Sequence, residues 1–455
     1  MNLYNIHIKE ILGNRYDFSY VLYKYNTLNF HYPTITLSRL LKSKPRYGAA
    51  EAGVIRESLD VARYIRITDI TENGELSDDI GVTAKTINGK YILNNNDILI
   101  ARSGNTVGKS YIHKSDRISY PCFFAGYMIR FIVDEERINP DYFFIYTQLT
   151  IFKDWVKATQ RTTGQPNINA EEYGGVQIPL PPIGIQQKIV DIYTAAQNAK
   201  LQKDKEAKEL LESIDNYLLE ALSINPSQEV SSESVFTKKI SEMIGNRLDV
   251  SFYKDRFEMV SGIYPNKRLS SIVDIDPTIR FTGLADDTPI SFIPMECIDD
   301  TFGEVKEQRK TTIAKTKGYT KFEENDLLWA KITPCMQNGK SAIARNLTNG
   351  VGCGSTEYYV IRPKTDDLII DYVYLVLRHH AVLKAAQNSF GGSAGQQRVS
   401  SQYVKSIVIP HPPIDVQKSI IATVIQKKER AKQLQSEGSK VLAEAKATIE
   451  KMILG

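Results

Sequence analysis

Two long stretches of the chain carry apolar residues at alternating spacings of four and three positions. The first has neither Pro nor Gly from residue 185 to 222, and its apolar positions are Ile185, Ile189, Ile192, Ala196, Ala199 and, after a polar interval, Leu210, Ile214 and Tyr217. The second, at 414–452, ends with Leu442, Ala445, Ile449 and Met452. This spacing is typical of a coiled-coil seam. We predict two long helices that pair antiparallel, with a surface helix packed on its own domain as the alternative.

The remaining sequence has a different pattern of short β-type runs bounded by turn residues. Such runs occur at 64–67, 97–100 and 127–131, and again at 326–329 and 357–361, next to Asn-Gly and Gly-Asn pairs. Two helical stretches, 140–159 and 370–388, interrupt them. Short β-branched and aromatic runs between such turns are typical of antiparallel strands. We therefore predict the α+β class, with a curved and mainly antiparallel sheet at the centre of each part.

The pattern occurs twice. Residues 12–20 (LGNRYDFSY) return as 244–252 (IGNRLDVSF), a shift of 244 − 12 = 232, and the proline-rich segment 178–183 returns at 409–414, a shift of 409 − 178 = 231. A period this long indicates tandem homologous domains, because solenoid units span roughly 20–50 residues. The predicted order is domain 1 at 1–182, a spacer helix at 183–222, a linker at 223–235, domain 2 at 236–413 and a second spacer helix at 414–455.

Composition places few limits on function. The chain has 455 residues, a net charge of +4 and 42% hydrophobic residues, as in ordinary globular proteins. No apolar stretch approaches the roughly 20 residues that span a bilayer. The N-terminus has no basic region followed by an apolar core, and the four cysteines form no Cys-x-x-Cys pair. We therefore expect a cytoplasmic protein without a membrane segment.

The sequence contains no recognisable catalytic motif. The six histidines show no repeat equivalence and no spacing typical of metal ligands, and no phosphate-binding loop is present. We predict that the chain has no catalytic residues, binds no metal and carries no cofactor.

Three segments resemble a known family. Residues 96–109 (NDILIARSGNTVGK), 164–168 (GQPNI) and 178–189 (IPLPPIGIQQKI) resemble segments of the target-recognition domains in specificity subunits of Type I restriction-modification enzymes. Residues 324–331, 338–340, 396–399 and 410–417 are similar in the second copy. The resemblance covers the whole chain in the order recognition domain, helix, recognition domain, helix.

The resemblance implies a non-catalytic subunit that recognises a bipartite, asymmetric DNA target. Each domain would bind one half-site of double-stranded DNA, with a spacer set by the helices. The implied partners are two methyltransferase subunits, for adenine methylation, and restriction subunits, for cleavage. The complex would use S-adenosylmethionine, ATP and Mg in a bacterial or archaeal cell. The alternatives are a standalone DNA methyltransferase or nuclease with a fused recognition module, and a nucleic-acid-binding scaffold.

Candidate DNA contacts lie where strands end in turns. Arg and Lys suit guanine or phosphate, whereas Asn and Gln suit adenine. The candidates are Arg102, Asn105, Lys109, Gln165 and Asn167 in the first copy, and Lys331, Gln337, Asn338, Lys340, Gln397 and Arg398 in the second. For Asn105 and Asn338 a role in turn conformation is the alternative.

Residues that are identical in both copies suggest a shared role rather than recognition of different bases. They include Asn14, Arg15 and Asp17, which recur as Asn246, Arg247 and Asp249. We predict a scaffold role or docking of identical partner subunits, with DNA contact as the alternative. Two equivalent docking surfaces would match two copies of one partner.

Overall fold

The structure is a computed structural model that describes residues 29–77, 79–160, 165–224, 257–390 and 397–454. It has two compact units. The first comprises residues 1–203 and 435–455, and the second comprises residues 204–434. Each unit therefore contains one recognition domain and parts of both long helices. The predicted domain boundaries remain a prediction, and most of the predicted linker lies outside the described residues.

Ten strands are described in the first unit: β1 Thr34–Thr36, β2 Arg46–Tyr47, β3 Gly53–Ile55, β4 Arg63–Ile65, β5 Val82–Ala84, β6 Ile98–Ala101, β7 Ser110–Ile112, β8 Cys122–Phe124, β9 Met128–Phe131 and β10 Gln177–Pro179. They form a four-stranded antiparallel sheet, β2-β9-β6-β7, a second four-stranded sheet, β3-β5-β4-β8, and the pair β1-β10. Only β4 and β8 pair in parallel among these strands. Strand β6 is buried along its whole length, as its apolar sequence ILIA predicts.

The second unit repeats this arrangement. Its described strands are β11 Asn266–Arg268, β12 Val273–Ile275, β13 Pro289–Ile293, β14 Arg309–Thr312, β15 Thr320–Glu323, β16 Leu327–Ala330, β17 Ser341–Ile343, β18 Val351–Gly354, β19 Tyr358–Pro363 and β20 Val408–Pro410. The sheets are β12-β19-β16-β17 and β14-β13-β18-β15, with β13 and β18 parallel, and the pair β11-β20. The mainly antiparallel α+β class is confirmed. The strands of each unit form two four-stranded sheets, however, and not the single central sheet that we expected.

Each predicted mid-domain helix is in fact two helices. The structure has α1 Pro140–Gln148 and α2 Thr150–Thr159 in place of one helix at 140–159, followed by the short helix α3 Ala170–Gly174. A single extended residue, Leu149, separates α1 from α2. This break was not predictable from local sequence, since neither Pro nor Gly occurs there. Its cause lies in the long helix at the C-terminal end of the chain, because the Glu450 carboxylate accepts the backbone N–H groups of Thr150 and Ile151.

The second unit has the same break at the equivalent position. After the long helix α4 Ile183–Ala221 and the short helix α5 Leu269–Ile272, helices α6 Ile370–Arg378 and α7 His380–Gln387 meet at the single residue His379. Here Asp215, near the C-terminal end of α4, accepts the backbone N–H of His380 at 3.0 Å. The remaining helices are α8 Ser401–Ser406 and the long helix α9 Ile414–Ile453.

The long helices agree with their predicted bounds to within about two residues, and they pair antiparallel within each unit. In the first unit, Lys203 of α4 forms an ion pair with Glu437 of α9 at 2.5 Å. In the second unit, Lys427 of α9 donates to Ser213 of α4 at 2.8 Å. Gly438 of α9 is buried. A Cβ atom at this position would lie only 3.3 Å from Cα of Lys200, so the glycine permits close approach of the two helices. No helix in the described parts of the chain is long and apolar enough to cross a membrane.

Candidate nucleic-acid interface

A buried carboxylate fixes the start of the central strand in each unit. Asp97 precedes β6, accepts the backbone N–H of Asn94 at 2.9 Å and pairs with Arg130 at 3.2 Å. Burial raises the pKa of Asp97 and outweighs the opposite effects of Asn94 and Arg130. Asp326, which precedes β16, accepts the backbone N–H of Glu323 at 2.7 Å and pairs with Arg362 at 2.7 Å. Each central strand therefore follows a turn of the same kind, which a buried aspartate holds in place.

In the first unit, the C-terminal end of β6 lies beside the segment around Asn167. The N–H of Ile168 donates to the carbonyl of Arg102, and the N–H of Gly104 donates to the carbonyl of Pro166, both at 2.9 Å. The Tyr173 hydroxyl also donates to the carbonyl of Ala101, at 2.7 Å. The two candidate segments of the first copy, 102–109 and 165–167, therefore form one surface.

The second unit has the equivalent surface. The N–H of Val399 donates to the carbonyl of Lys331, and the N–H of Thr333 donates to the carbonyl of Gln397, both at 3.0 Å. Lys331, Gln397 and Arg398 are consequently neighbours. Lys340 is directed differently, since its Nζ donates to the carbonyl of Met295 at 3.4 Å. Gln337 accepts a hydrogen bond from the Thr333 hydroxyl through its side-chain oxygen.

The structure gives no backbone reason for an asparagine at either turn. Among the described residues, the left-handed positions nearest the two turns are Gly104, Gly108 and Gly339, and neither Asn105 nor Asn338 has a positive φ. Both asparagine side chains are exposed. Gln165 is also exposed, whereas Asn167 is partly buried beside Ser103.

Arg102 lies in an unusual environment for a cation. Its guanidinium is 4.9 Å from the ring centre of Tyr47, and its buried Nε has no hydrogen-bond partner among the described residues. Its backbone N–H donates to the carbonyl of Tyr127, whose side chain is 65% exposed. Sequence reasoning missed both tyrosines. Together, Arg102, Tyr47 and Tyr127 combine a cation with aromatic rings, which suits contacts with bases.

The equivalent position in the second unit has different chemistry. The N–H of Lys331 donates to the carbonyl of Glu357, which therefore corresponds to Tyr127. The Glu357 carboxylate accepts two hydrogen bonds from Arg398, at 2.9 and 2.8 Å, and these bonds keep its pKa below the ordinary value. Lys331 lies 5.2 Å from the ring centre of Tyr359. At these equivalent positions the first unit thus presents Arg102 and Tyr127, and the second presents Lys331 and Glu357.

A basic cleft of about 410 Å³ lies beside the first surface. Its lining includes Lys109 and two lysines of α2 that sequence reasoning missed, Lys153 and Lys157, together with the amides of Asn105, Gln148 and Gln160. Glu72 partly balances this charge, since it pairs with Lys109 at 3.3 Å. An alignment of the two copies at the helical breaks would have indicated Lys153, because its counterpart in the second copy is apolar.

The second unit fills the corresponding space with its own side chains. Arg378 ends α6 as Gln148 ends α1, and its guanidinium donates to the carbonyls of Gly339 and Asp300 at 2.9 and 2.7 Å. Leu383 is the fourth residue of α7, as Lys153 is of α2, and it lies close to Gly339. The basic cleft is therefore a property of the first unit.

The candidate scaffold or docking residues are not in the described part of the chain. Asn14, Arg15, Asp17, Asn246, Arg247 and Asp249 all lie outside it. Their roles stay predictions, as do those of the candidate DNA contacts.

Comparison with known proteins identifies the family of this chain. A family model for the Type I restriction modification DNA specificity domain matches residues 51–213 and again residues 265–437. The chain belongs to this family. The two matched segments contain both surfaces described above, and their repetition agrees with the two homologous units.

Individual relatives match parts of the chain. The specificity subunit of the Type I restriction enzyme EcoEI from Escherichia coli is 39% identical over 156 residues, which are 34% of this chain and 26% of that subunit. The EcoAI specificity subunit from the same species is 36% identical over 190 residues, or 42% of this chain and 32% of the relative. The chain thus aligns with about a third or less of the length of these relatives.

The fold also resembles that of a solved protein. A chain from a structure that concerns complex assembly and conformational transition of the Type I R-M system aligns with 94% of this chain and 99% of its own length. The TM-score is 0.51 at 14% identity, so the likeness concerns the fold alone.

Proposed function

We propose that this chain is a DNA-sequence-recognition subunit of a Type I restriction-modification complex. One observation carries the proposal: the two units place different side chains on the same backbone frame. Arg102 and Lys331 occupy equivalent positions, but their neighbours are Tyr127 in one unit and Glu357 in the other. A shared frame with different contact groups suits a target with two unlike half-sites. Phosphate contacts would position each unit, and contacts with base edges would give specificity.

The charge distribution supports separate roles for the residues around the first surface. Within the described residues Nε of Arg102 has no hydrogen-bond partner, so an acceptor on a ligand would satisfy a buried donor that is otherwise costly. Guanine offers two acceptors, O6 and N7, to such a group in the major groove. The lysines of the adjoining cleft suit phosphate oxygens, which need charge rather than a fixed hydrogen-bond pattern.

In this proposal the partner subunits, and not this chain, catalyse the reactions. Two methyltransferase subunits would supply S-adenosylmethionine and transfer a methyl group to adenine. Restriction subunits would use ATP and Mg for cleavage. The repeated segments around Asn14 and Asn246 are the proposed docking surfaces, because identical residues in both copies suit two identical partners. The paired helices α4 and α9 would set the length of the unread spacer.

The test is methyl transfer to duplex DNA by the full chain, by the methyltransferase subunit, and by both together. We expect transfer only when both are present, and we expect methylome sequencing to give two unlike half-sites around an unspecified gap. Methylation or strand cleavage by the rigorously purified chain alone would refute the proposal. A single uninterrupted target would refute the model in which each unit binds one half-site.

A further inference from the structure

A cluster of three metal-ligating side chains lies at the junction of α6 and α7. Asp215 of α4 approaches His379 and His380, and one ligand atom from each residue lies within 4.8 Å of the others. Oδ2 of Asp215 is 2.8 Å from Nδ1 of His380. Sequence spacing could not indicate this cluster, because 379 − 215 = 164 positions separate the carboxylate from the first histidine.

His379 is the most informative member of the cluster. Its side chain is fully buried, its Nδ1 accepts the backbone N–H of Ala381 at 3.2 Å, and its Nε2 has no hydrogen-bond partner among the described residues. An unsatisfied buried polar atom costs roughly 1–3 kcal/mol unless a ligand or water satisfies it. Burial lowers the pKa of His379, although Asp215 acts in the opposite direction. The neutral imidazole is the form that binds metals.

The first unit shows that the fold does not require these histidines. Leu149 and Thr150 occupy the positions of His379 and His380, and the Glu450 carboxylate accepts the backbone N–H groups there. A carboxylate is sufficient to cap the second helix of each pair. The two histidines of the second unit are thus not needed for helix capping. They lie beside the Asp215 carboxylate, which the fold already places there.

Contrary to the expectation from the sequence that the chain binds no metal, we propose that Asp215, His379 and His380 bind one divalent transition-metal ion of the Zn²⁺ type. Three atoms within 4.8 Å of one another fit inside a circle of radius 4.8/√3, or about 2.8 Å, so a central ion would be no farther than this from any of them. Zinc ligands lie at about 2.0–2.2 Å, so the site would contract when the ion binds. Asp215 and His380 are already 2.8 Å apart, and the His380 side chain is 74% exposed and can rotate. Two imidazoles and one carboxylate leave a fourth tetrahedral position for water.

A bound ion would link the C-terminal end of α4 to the α6–α7 junction and stabilise the second unit. Neither DNA nor a partner subunit is needed for this binding. Its failure would therefore leave the proposed DNA-recognition function unaffected, and the converse also holds.

The test is titration of the full chain with Zn²⁺ by calorimetry and with Co²⁺ by visible absorption, which reports the coordination geometry. We expect one ion per chain. His379→Leu and His380→Thr install the residues of the first unit, and each should weaken binding at least tenfold. His31→Gln, at an exposed histidine, is the matched control and should leave binding unchanged.

A second readout is the thermal midpoint of the second unit, followed by fluorescence of Trp329 in a Trp155→Phe background. Zn²⁺ should raise this midpoint in the parent chain and not in the His380→Thr variant. Because the His380 side chain is exposed, the substitution should leave the fold intact, and misfolding would not explain the loss of the Zn²⁺ effect. The proposal is overturned if the chain binds no ion saturably, or if His380→Thr binds Zn²⁺ as tightly as the parent.

Discussion

Gln186 accepts the backbone N–H of Asn139 through its side-chain oxygen at 2.8 Å and donates to the carbonyl of Pro181 at 2.9 Å. Gln417 forms the same contacts in the second unit, with the N–H of Ile369 at 2.9 Å and the carbonyl of Pro412 at 2.9 Å. Both side chains are buried. Each glutamine thus joins the start of a long helix to the start of the first mid-domain helix.

Replacing Gln186 with Met should destabilise the first unit by about 1–3 kcal/mol, because the partly buried N–H of Asn139 and the buried carbonyl of Pro181 lose their partners. Gln417→Met should do the same to the second unit. The two tryptophans, Trp155 and Trp329, lie in different units, so urea unfolding of single-tryptophan variants can assign each destabilisation. Gln187→Met, at the exposed neighbouring position, is the control. Equal effects of Gln186→Met and Gln187→Met would contradict this role.

The glutamines show what the sequence could and could not predict. The repeat placed Gln186 and Gln417 at matching helix starts, and the apolar spacing predicted both long helices to within about two residues. The contacts of the glutamines with Asn139 and Ile369 join segments 186 − 139 = 47 and 417 − 369 = 48 positions apart. No local pattern reports such contacts. For the same reason the breaks at Leu149 and His379 were missed, since their capping carboxylates come from distant helices.

The sequence predicted some residues of the candidate interface but not how they come together. Strand-end turns indicated Arg102 and Lys331, and the structure joins each to the second candidate segment of its own copy. Tyr47 was not predictable as a neighbour of Arg102, because strand pairing brings it there from 102 − 47 = 55 positions away. Glu357 could have been found by aligning the copies, since it takes the place of Tyr127 before equivalent strands.

Lys153 and Lys157 should contribute to DNA affinity by charge rather than by base specificity. In the assembled complex, Lys153→Gln with Lys157→Gln should weaken binding to all sequences and lower the slope of log K against log salt by about 0.9 for each phosphate that the protein no longer neutralises. Binding isotherms at several salt concentrations give this slope. Lys384→Gln, at an exposed lysine of α7 in the second unit, is the matched control. An unchanged slope in the double variant would place the cleft away from DNA.

Arg102 and Lys331 should each affect one half-site only. Arg102→Gln should change or relax one base preference in the first half-site, and Lys331→Gln should do so in the second, with discrimination reduced by about 1–3 kcal/mol where the wild-type residue binds a base in a bidentate manner. Methylome sequencing of cells that carry each variant measures both half-sites at once. Each variant is the control for the other. If either substitution alters both half-sites, or merely weakens methylation at an unchanged target, the residue does not determine base specificity.

Lys446 of α9 should make the stability of the first unit depend on pH. Burial lowers its pKa to about 8, with a further lowering by Lys153 and an opposing effect of Glu450, whereas the unfolded chain has the ordinary value of 10.5. Between these values the unfolded state binds the proton and the folded state does not. The contribution of Lys446 to the stability of the first unit therefore rises as the pH increases from about 8 to about 10.5.

Lys446→Met should remove this rise and increase stability at pH 7, because no ammonium group then has to be buried. The measurement is the urea midpoint of the first unit from pH 7 to pH 10, followed by Trp155 fluorescence in a Trp329→Phe background. Lys440→Met, at an exposed position of the same helix, should leave the rise in place. A parent chain whose first unit has the same midpoint at pH 8 and at pH 10 would show that the Lys446 ammonium is well solvated in the folded state.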